Sequence, residues 1–379
     1  MKIVYLYGGL PAYRKDFFSL LNKRLEEMGH KLKVLHGVRE QNDSLQLCSN
    51  FGFNEDTFPI KSRLKIGSLD LVSFPGMMRA FKHEKPDVYV LQFHVAKLTY
   101  WHIYWYAKMH NIPYITWDCN YQRPELGGRT ASFRDRLVNK TDMDASICLT
   151  YGTKLKHTLV KLGKKDDDVI VAQNTINIEK IIAERSPLCA NRDFNHSIHI
   201  LFVGLVKARK NIESAIDAVA TLIKEGFDLY FDIVGGGDMF ETCSDRIVTL
   251  GMSERIIMHG PKHGDAVRKF FEKSDVFLLP GTGGLAINEA MAYSLPIIST
   301  EGDGTIIDLI DGNGFLLKKM GDTEEIKNAL KSFISLSNVE KQEMSKRSEE
   351  IVTQRATLDN MVNMHIKAIE LALNKKVKL

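Results

Sequence analysis

Residues 277–301, FLLPGTGGLAINEAMAYSLPIISTE, constrain the fold more than any other stretch of this chain. An apolar run, a glycine-rich turn, a short helical pattern and a second apolar run follow one another without a gap. Two such runs joined by a helix make a parallel βαβ unit, which needs neighbouring strands and helices on both faces. The turn brings bare backbone N–H groups, and the helix that opens there adds the positive end of its dipole. A phosphorylated ligand suits such a turn. Glu289 is the carboxylate on the helix just past it.

The same alternation runs through all 379 residues. Short β-rich runs fall at 3–6, 33–36, 88–92, 113–117, 146–149 and 169–172, then at 199–204, 230–234, 256–259, 276–279, 297–299 and 314–317. Longer helical patterns lie between them, including one after Pro11 with Phe17, Phe18, Leu20, Leu21 and Leu25 at core spacing. Residues 183–197 lose the apolar period and read as a linker. The length also favours two domains. The expectation is an α/β protein of two Rossmann-like halves facing across a cleft: 1–185, 196–355, and a C-terminal helix over 356–379 that packs back on the first half. A single long helical pattern covers roughly 339–373. Ligands of open α/β sheets bind at the carboxyl ends of the strands.

Composition narrows the class. No apolar run approaches the roughly 20 residues that span a bilayer, and MKIVYLYGGL reads as a strand, not a secretory leader. Cys48, Cys119, Cys148, Cys189 and Cys243 are scattered, without metal-ligand spacing, as free thiols of a reducing cytoplasm are. Residues 1–190 carry 28 Lys+Arg against 20 Asp+Glu, while residues 191–379 carry 23 against 27. The basic first half is either ordinary solvated surface or a face toward something anionic. The aromatics of WHIYWYAK read as the core and surface of one helix. No basic groove accompanies them, so nucleic acid is not an expected partner.

Two phosphate ligands compete for the central turn. Gly281, Gly283 and Ala286 match G-x-G-x-x-A, and Glu301 follows 20 residues after Gly281, as a dinucleotide site requires. Pro280 before the turn and its place late in the chain argue against that reading. The blocks on either side favour a sugar nucleotide. LFVGLVKARKN (201–211), FDIVGGGD (231–238), RIIMHG (255–260), SDVFLLPGTGGLAINEAMAYSLPIIST (274–300) and GDGTIIDLIDGNGFLL (302–317) stand in order and in register. Together they resemble the donor domain of the GT-B-fold glycosyltransferases, specifically the large retaining family four, or group one type. PAYRKDFF (11–18) is similar to members that assemble bacterial polysaccharides.

That resemblance implies a set of roles. Glu289 would hold the ribose hydroxyls, and Lys210, flanked by Lys207 and Arg209, the diphosphate. His259 and Gly260 would meet the nucleobase, and Gly283, Gly284 and Leu285 the sugar. In the first half Gly8 and Gly9 would approach the diphosphate, with His94 and Asp118 toward the substrate. Two positions depart from the family. Gly281 stands where a second glutamate normally touches the transferred sugar, and Leu205 where an arginine follows the first glycine. The implied activity is retaining transfer of a sugar from a UDP or GDP donor to a glycan, lipid-linked in capsule or lipopolysaccharide assembly, with no cofactor and no metal. TDMD (141–144) is then an empty echo of a metal site. The setting implied is cytoplasmic, peripheral to an anionic membrane face. A sugar-nucleotide epimerase of the same fold and a non-catalytic nucleotide-sugar binding protein remain the alternatives.

Overall fold

The computed structural model describes residues 1–38, 51–66, 69–92, 94–118 and 133–377. Cys48 and Cys119 lie outside the described residues, whereas Cys148, Cys189 and Cys243 are buried thiols. The chain divides into two compact units, one formed by Met1–Ile176 with Leu358–Leu379, the other by Asn177–Thr357.

In the first unit the chain runs β1 (Lys2–Tyr7), α1 (Lys15–Glu27), β2 (Lys31–Val38), β3 (Glu55–Pro59), β4 (Lys61–Ile66), β5 (Leu69–Ser73), α2 (Met77–Glu84), β6 (Val88–Leu91), α3 (Leu98–Met109), β7 (Tyr114–Asp118), α4 (Phe133–Asp144), β8 (Ile147–Thr150), α5 (Thr153–Lys161) and β9 (Val169–Val171). Seven of these strands form one sheet in the order β3-β2-β1-β6-β7-β8-β9, parallel at every pairing. β4 and β5 make a separate antiparallel ribbon. The central strands are buried on both faces, as their unbroken apolar runs require. One face packs Tyr5, Trp117 and Ile147 against Phe17 and Phe18 of α1.

The second unit runs α6 (Ile178–Glu184), β10 (Ile198–Val203), α7 (Ile212–Lys224), β11 (Leu229–Val234), α8 (Phe240–Thr249), β12 (Ile256–Gly260), α9 (Asp265–Lys273), β13 (Val276–Leu279), α10 (Leu285–Ala292), β14 (Ile297–Thr300), β15 (Gly314–Leu317), α11 (Thr323–Ser335) and α12 (Asn338–Arg355). Its six strands are also all parallel, ordered β12-β11-β10-β13-β14-β15. Both sheets therefore reverse their strand order once, between β1 and β6 and between β10 and β13. Those switch points open crevices at the carboxyl edge.

Two expectations are corrected. The supposed linker is built into the second unit. Arg185 donates to Ser294 Oγ (2.8 Å) and Glu349 (2.7 Å), and Arg192 donates to the carbonyls of Phe271, Glu272, Ser274 and Tyr293. The long helical pattern of 339–373 is two helices, α12 and α13 (Leu358–Val377), broken at Ala356–Thr357, and α13 is the helix expected over 356–379. α13 lays Met361, Val362, Ile369 and Leu373 into the core of the first unit.

Candidate functional site

Every predicted donor residue of the second unit lies at or beyond the carboxyl edge of its sheet. The loop after β10 is interlocked with the loop after β11, backbone to backbone. Gly204 N–H donates to Val234 (3.0 Å), Val206 N–H to Gly236 (2.9 Å), and Met239 N–H to Val206 (3.1 Å). Side chains at Gly235 and Gly237 would strike the carbonyls of Gly204 and Val206, and both sit at positive φ, so the approach depends on glycine. The loop then makes one 3₁₀ turn over Ala208–Lys210 and enters α7 through Asn211 in the left-handed region, φ +53°.

That turn is pressed onto the one after β13. Thr282 N–H donates to the Arg209 carbonyl (3.0 Å), and Arg209 Nη1 donates back to Thr282 Oγ1 (2.9 Å). A Cβ on Gly281 would stand 2.6 Å from the Lys210 backbone. The glutamate that the resemblance leads one to miss at this position has no room here. Lys210 is buried, and its Nζ donates to the Thr282 carbonyl beside Gly283. Burial, helped by the Arg209 charge, brings Lys210 down to about 8. Lys207 is half-buried and Arg209 exposed.

Gly284 is the N-cap of α10 and offers no side-chain acceptor, so the first N–H groups of the helix, starting at Leu285, are uncapped. One turn on, Glu289 is half-buried and makes no hydrogen bond or ion pair among the described residues. Burial alone pushes its carboxyl up to about 7. A carboxylate held this way, half-buried and without a partner among the described residues, is a binding-site candidate on physical grounds. His259, at the end of β12, has its side chain engaged. Its Nε2 is hydrogen-bonded to the Asp232 carboxylate, which also pairs with Lys273 Nζ at 2.7 Å, and its ring leans on Phe270 at 4.4 Å. The Gly260 carbonyl accepts from Gly235 N–H (2.9 Å).

The carboxyl edge of the first sheet gathers a smaller group. Gly8 and Gly9 follow β1, His94 follows β6, and Asp118 ends β7. Lys97, which the sequence reading passed over, joins them. Its Nζ fills the space that a side chain on Gly8 would need and lies 5.0 Å from the centre of the Tyr100 ring. Burial lowers Lys97 to about 8, and the nearby Asp118 charge opposes that shift. His94 is exposed. Its Nδ1 accepts from Ala96 N–H (3.2 Å) and its carbonyl from Lys97 N–H (3.0 Å), so it shapes the turn into α3. Arg14, inside PAYRKDFF, is fully buried. Its guanidinium sits 4.8 Å from the Trp117 ring and donates to Asn174 Oδ1 (2.7 Å), which makes that segment part of the core.

In TDMD, Asp144 is held by Lys108 (2.7 Å) and the Tyr104 hydroxyl. Among the described residues no three His, Cys, Asp or Glu side chains group so as to hold a metal ion. Asp303 was the other residue missed. It lies in the loop after β14, half-buried, with its carboxylate against Gly284.

Comparison with known proteins agrees with this geometry. A family model described as glycosyl transferases group 1 matches residues 191–351, which covers both interlocked loops, the glycine turn and α10. The amylovoran biosynthesis glycosyltransferase AmsK of Erwinia amylovora is 26% identical over 229 residues. That match takes in 57% of this chain and 53% of AmsK, about half the length of each. The lipopolysaccharide core biosynthesis glycosyltransferase LpsE of Rhizobium meliloti is 24% identical over 93% of this chain and 95% of its own. The crystal structure of Anabaena HepE in complex with UDP superposes with a TM-score of 0.74 at 16% identity, over 98% of this chain and all of that one. The shared fold is GT-B.

Proposed function

We propose that this chain, whose second unit carries the glycosyl transferases group 1 domain, moves a sugar from a UDP- or GDP-linked donor to a glycan acceptor, with retention of anomeric configuration. The observation that carries this reading is the meeting, at one switch point, of a buried ammonium, a glycine turn opening a helix, and the unpartnered Glu289 carboxylate. Two ribose hydroxyls are donors in need of acceptors, and Glu289 offers two acceptor oxygens. A diphosphate is an anion in need of donors, and Lys210 with the N–H groups at the start of α10 offers them.

In this reading the acceptor oxygen approaches the anomeric carbon on the face from which the nucleotide leaves. The carbon–phosphate oxygen bond breaks as the new glycosidic bond forms, and the acceptor proton passes to the departing phosphate. Lys210 stabilises the charge that grows on that phosphate. No protein nucleophile, cofactor or metal takes part.

The first unit would take the acceptor, with Lys97, Asp118 and His94 toward it. Relatives named for amylovoran and lipopolysaccharide core synthesis support an acceptor of the cell-surface polysaccharide class. No described helix is long and apolar enough to cross a membrane. The excess of basic residues in the first half supports work at the cytoplasmic face of an anionic membrane on a lipid-linked glycan.

Incubation with a panel of UDP-, GDP- and ADP-sugars tests the proposal. Slow donor hydrolysis, converted to transfer when a glycan acceptor is added, is the expected result. Sugar isomers in place of hydrolysis would make the protein an epimerase. Tight binding without turnover would make it a binding protein.

A further inference from the structure

The glycine turn carries charge of both signs, and the two charges come from different loops. Lys210 arrives from the loop after β10, with Nζ where a side chain on Gly283 would be. Asp303 arrives from the loop after β14, between Gly302 (φ +61°) and Gly304 (φ +83°). Its Oδ1 is used locally, accepting from Thr305 N–H (3.2 Å) and from the Thr305 hydroxyl. Its Oδ2 accepts no hydrogen bond from any described residue and faces the turn. A Cβ on Gly284 would stand 2.9 Å from it. Two adjacent glycines thus keep clear the space between an ammonium and a carboxylate.

The two groups select different parts of one ligand. A diphosphate is drawn to Lys210 and repelled by Asp303. A neutral hydroxyl, which can donate, is what an unfilled carboxylate oxygen accepts. The turn itself cannot provide a carboxylate from its first position, because Gly281 lies against the Arg209–Lys210 backbone. Asp303 is the carboxylate that does reach the turn.

Resting on the donor reading above, we propose that Asp303 recognises the transferred sugar, with Oδ2 accepting a hydrogen bond from one of its hydroxyls while Oδ1 stays anchored to Thr305. Lys210 and Asp303 then divide the donor at the phosphate–sugar bond, one on each side of the bond that breaks. The desolvation that raises the Asp303 carboxyl agrees with a group placed to be covered by ligand.

Calorimetric titration of UDP against UDP-glucose and UDP-galactose, and of GDP against GDP-mannose, tests this on the full chain and on Asp303→Asn and Asp303→Ala. Neither variant should bind the free nucleotide more than about twofold more weakly than the parent protein, since the carboxylate they lose repels the diphosphate. Both should lose about tenfold or more of the extra affinity that the sugar brings, with a matching rise in KM for the sugar nucleotide. Parallel weakening of nucleotide and sugar nucleotide would show a loop that has lost its shape, and would overturn the proposal. So would unchanged affinity for both. Retained nucleotide binding also serves as the check that each variant is folded. If the parent protein binds none of these sugar nucleotides, the donor reading fails, and the role of Asp303 falls with it.

Discussion

Lys210 donates through Nζ to the carbonyl oxygen of Thr282, joining two loops that lie 72 positions apart in sequence. The contact places an ammonium at the mouth of a glycine turn on the far side of a switch point. A single carbonyl satisfies one of its three protons, so the charge is held ready for an anion and is not neutralised. The shift of Lys210 to about 8 follows from the same burial that keeps it in place.

Lys210→Met removes the charge that the proposed mechanism sets against the leaving diphosphate. It should lower kcat/KM by roughly 10²–10³-fold, the usual cost of losing one preorganised group at a developing charge. Nucleotide affinity in the parent protein should fall as pH rises above about 8, where the free protein loses the Lys210 proton. The sign for stability is the reverse. The folded state holds this proton less tightly than the unfolded chain, so ligand-free stability rises with pH between about 8 and the ordinary lysine value of 10.5. Titrations from below pH 7 to above pH 9 read both. Affinity that stays flat across pH 8 would take Lys210 off the phosphate.

Gly281→Ala tests the contact between the two loops. The added methyl meets backbone at 2.6 Å, and backbone cannot rotate away as a side chain can. The variant should lose about 1–3 kcal/mol of stability by urea denaturation, the range for overpacking. Its nucleotide affinity should drop as well, since the same contact carries Lys210. Gly281→Glu should be worse on both counts, which would show that the family's glutamate cannot be restored by one substitution. An alanine variant with the parent's midpoint and affinity would mean that the loops yield freely.

How much of this was legible depended on whether a signal was local. β13 and β14 were plain, because each is an apolar run between turn residues and buried on both faces. β4 and β5 were not, because KSRLKI and LDLVS are interrupted by charge and pair with each other outside both parallel sheets. The helical period of 339–373 runs straight across the break at Ala356–Thr357 because neither glycine nor proline marks it. Arg185 and Arg192 made 183–197 look like a polar linker, yet both spend their charge on backbone carbonyls and side chains across the second unit. Glu289 and Lys210 stand out as candidates because their own segments carry the pattern. Lys97 and Asp303 do not. A lone lysine or aspartate in a loop gains meaning only from the glycine that another loop brings beside it.

The basic first half makes a separate prediction. Trp105 is 50% exposed and Met109 72% exposed on α3, and Lys108 on the same helix lies 5.9 Å from the Trp105 ring. An aromatic beside lysines is suited to the headgroup layer of an anionic bilayer, where each cation contributes about 1 kcal/mol. The protein should co-sediment with phosphatidylglycerol-rich vesicles and not with phosphatidylcholine alone, and should dissociate at high salt. Trp105→Glu should weaken the binding about tenfold while leaving donor hydrolysis intact. Equal binding to both vesicle types would remove the anionic surface from its partners.

In the proposed reading, Glu289 connects stability and ligand binding through a single proton. Its carboxyl is raised from the ordinary 4.5 to about 7 by burial, so the folded state binds that proton more tightly than the unfolded chain. Ligand-free stability therefore falls as pH rises from about 4.5 to 7, and stays reduced above that. Glu289→Gln removes the buried charge, and at pH 8 the ligand-free variant should melt a few degrees above the parent. The same change leaves one acceptor and one donor where a ribose diol needs two acceptors. Nucleotide affinity should fall by about 10–100-fold, the worth of hydrogen bonds to a charged group. In the parent protein, affinity should also decline toward tenfold per pH unit below about 7, as the carboxylate is protonated, and that dependence should vanish in the glutamine variant. Thermal melts and nucleotide titrations at pH 6 and pH 8 distinguish the two effects. A variant that melts higher yet binds UDP and GDP as the parent does would make Glu289 a buried acid with no part in holding the ribose.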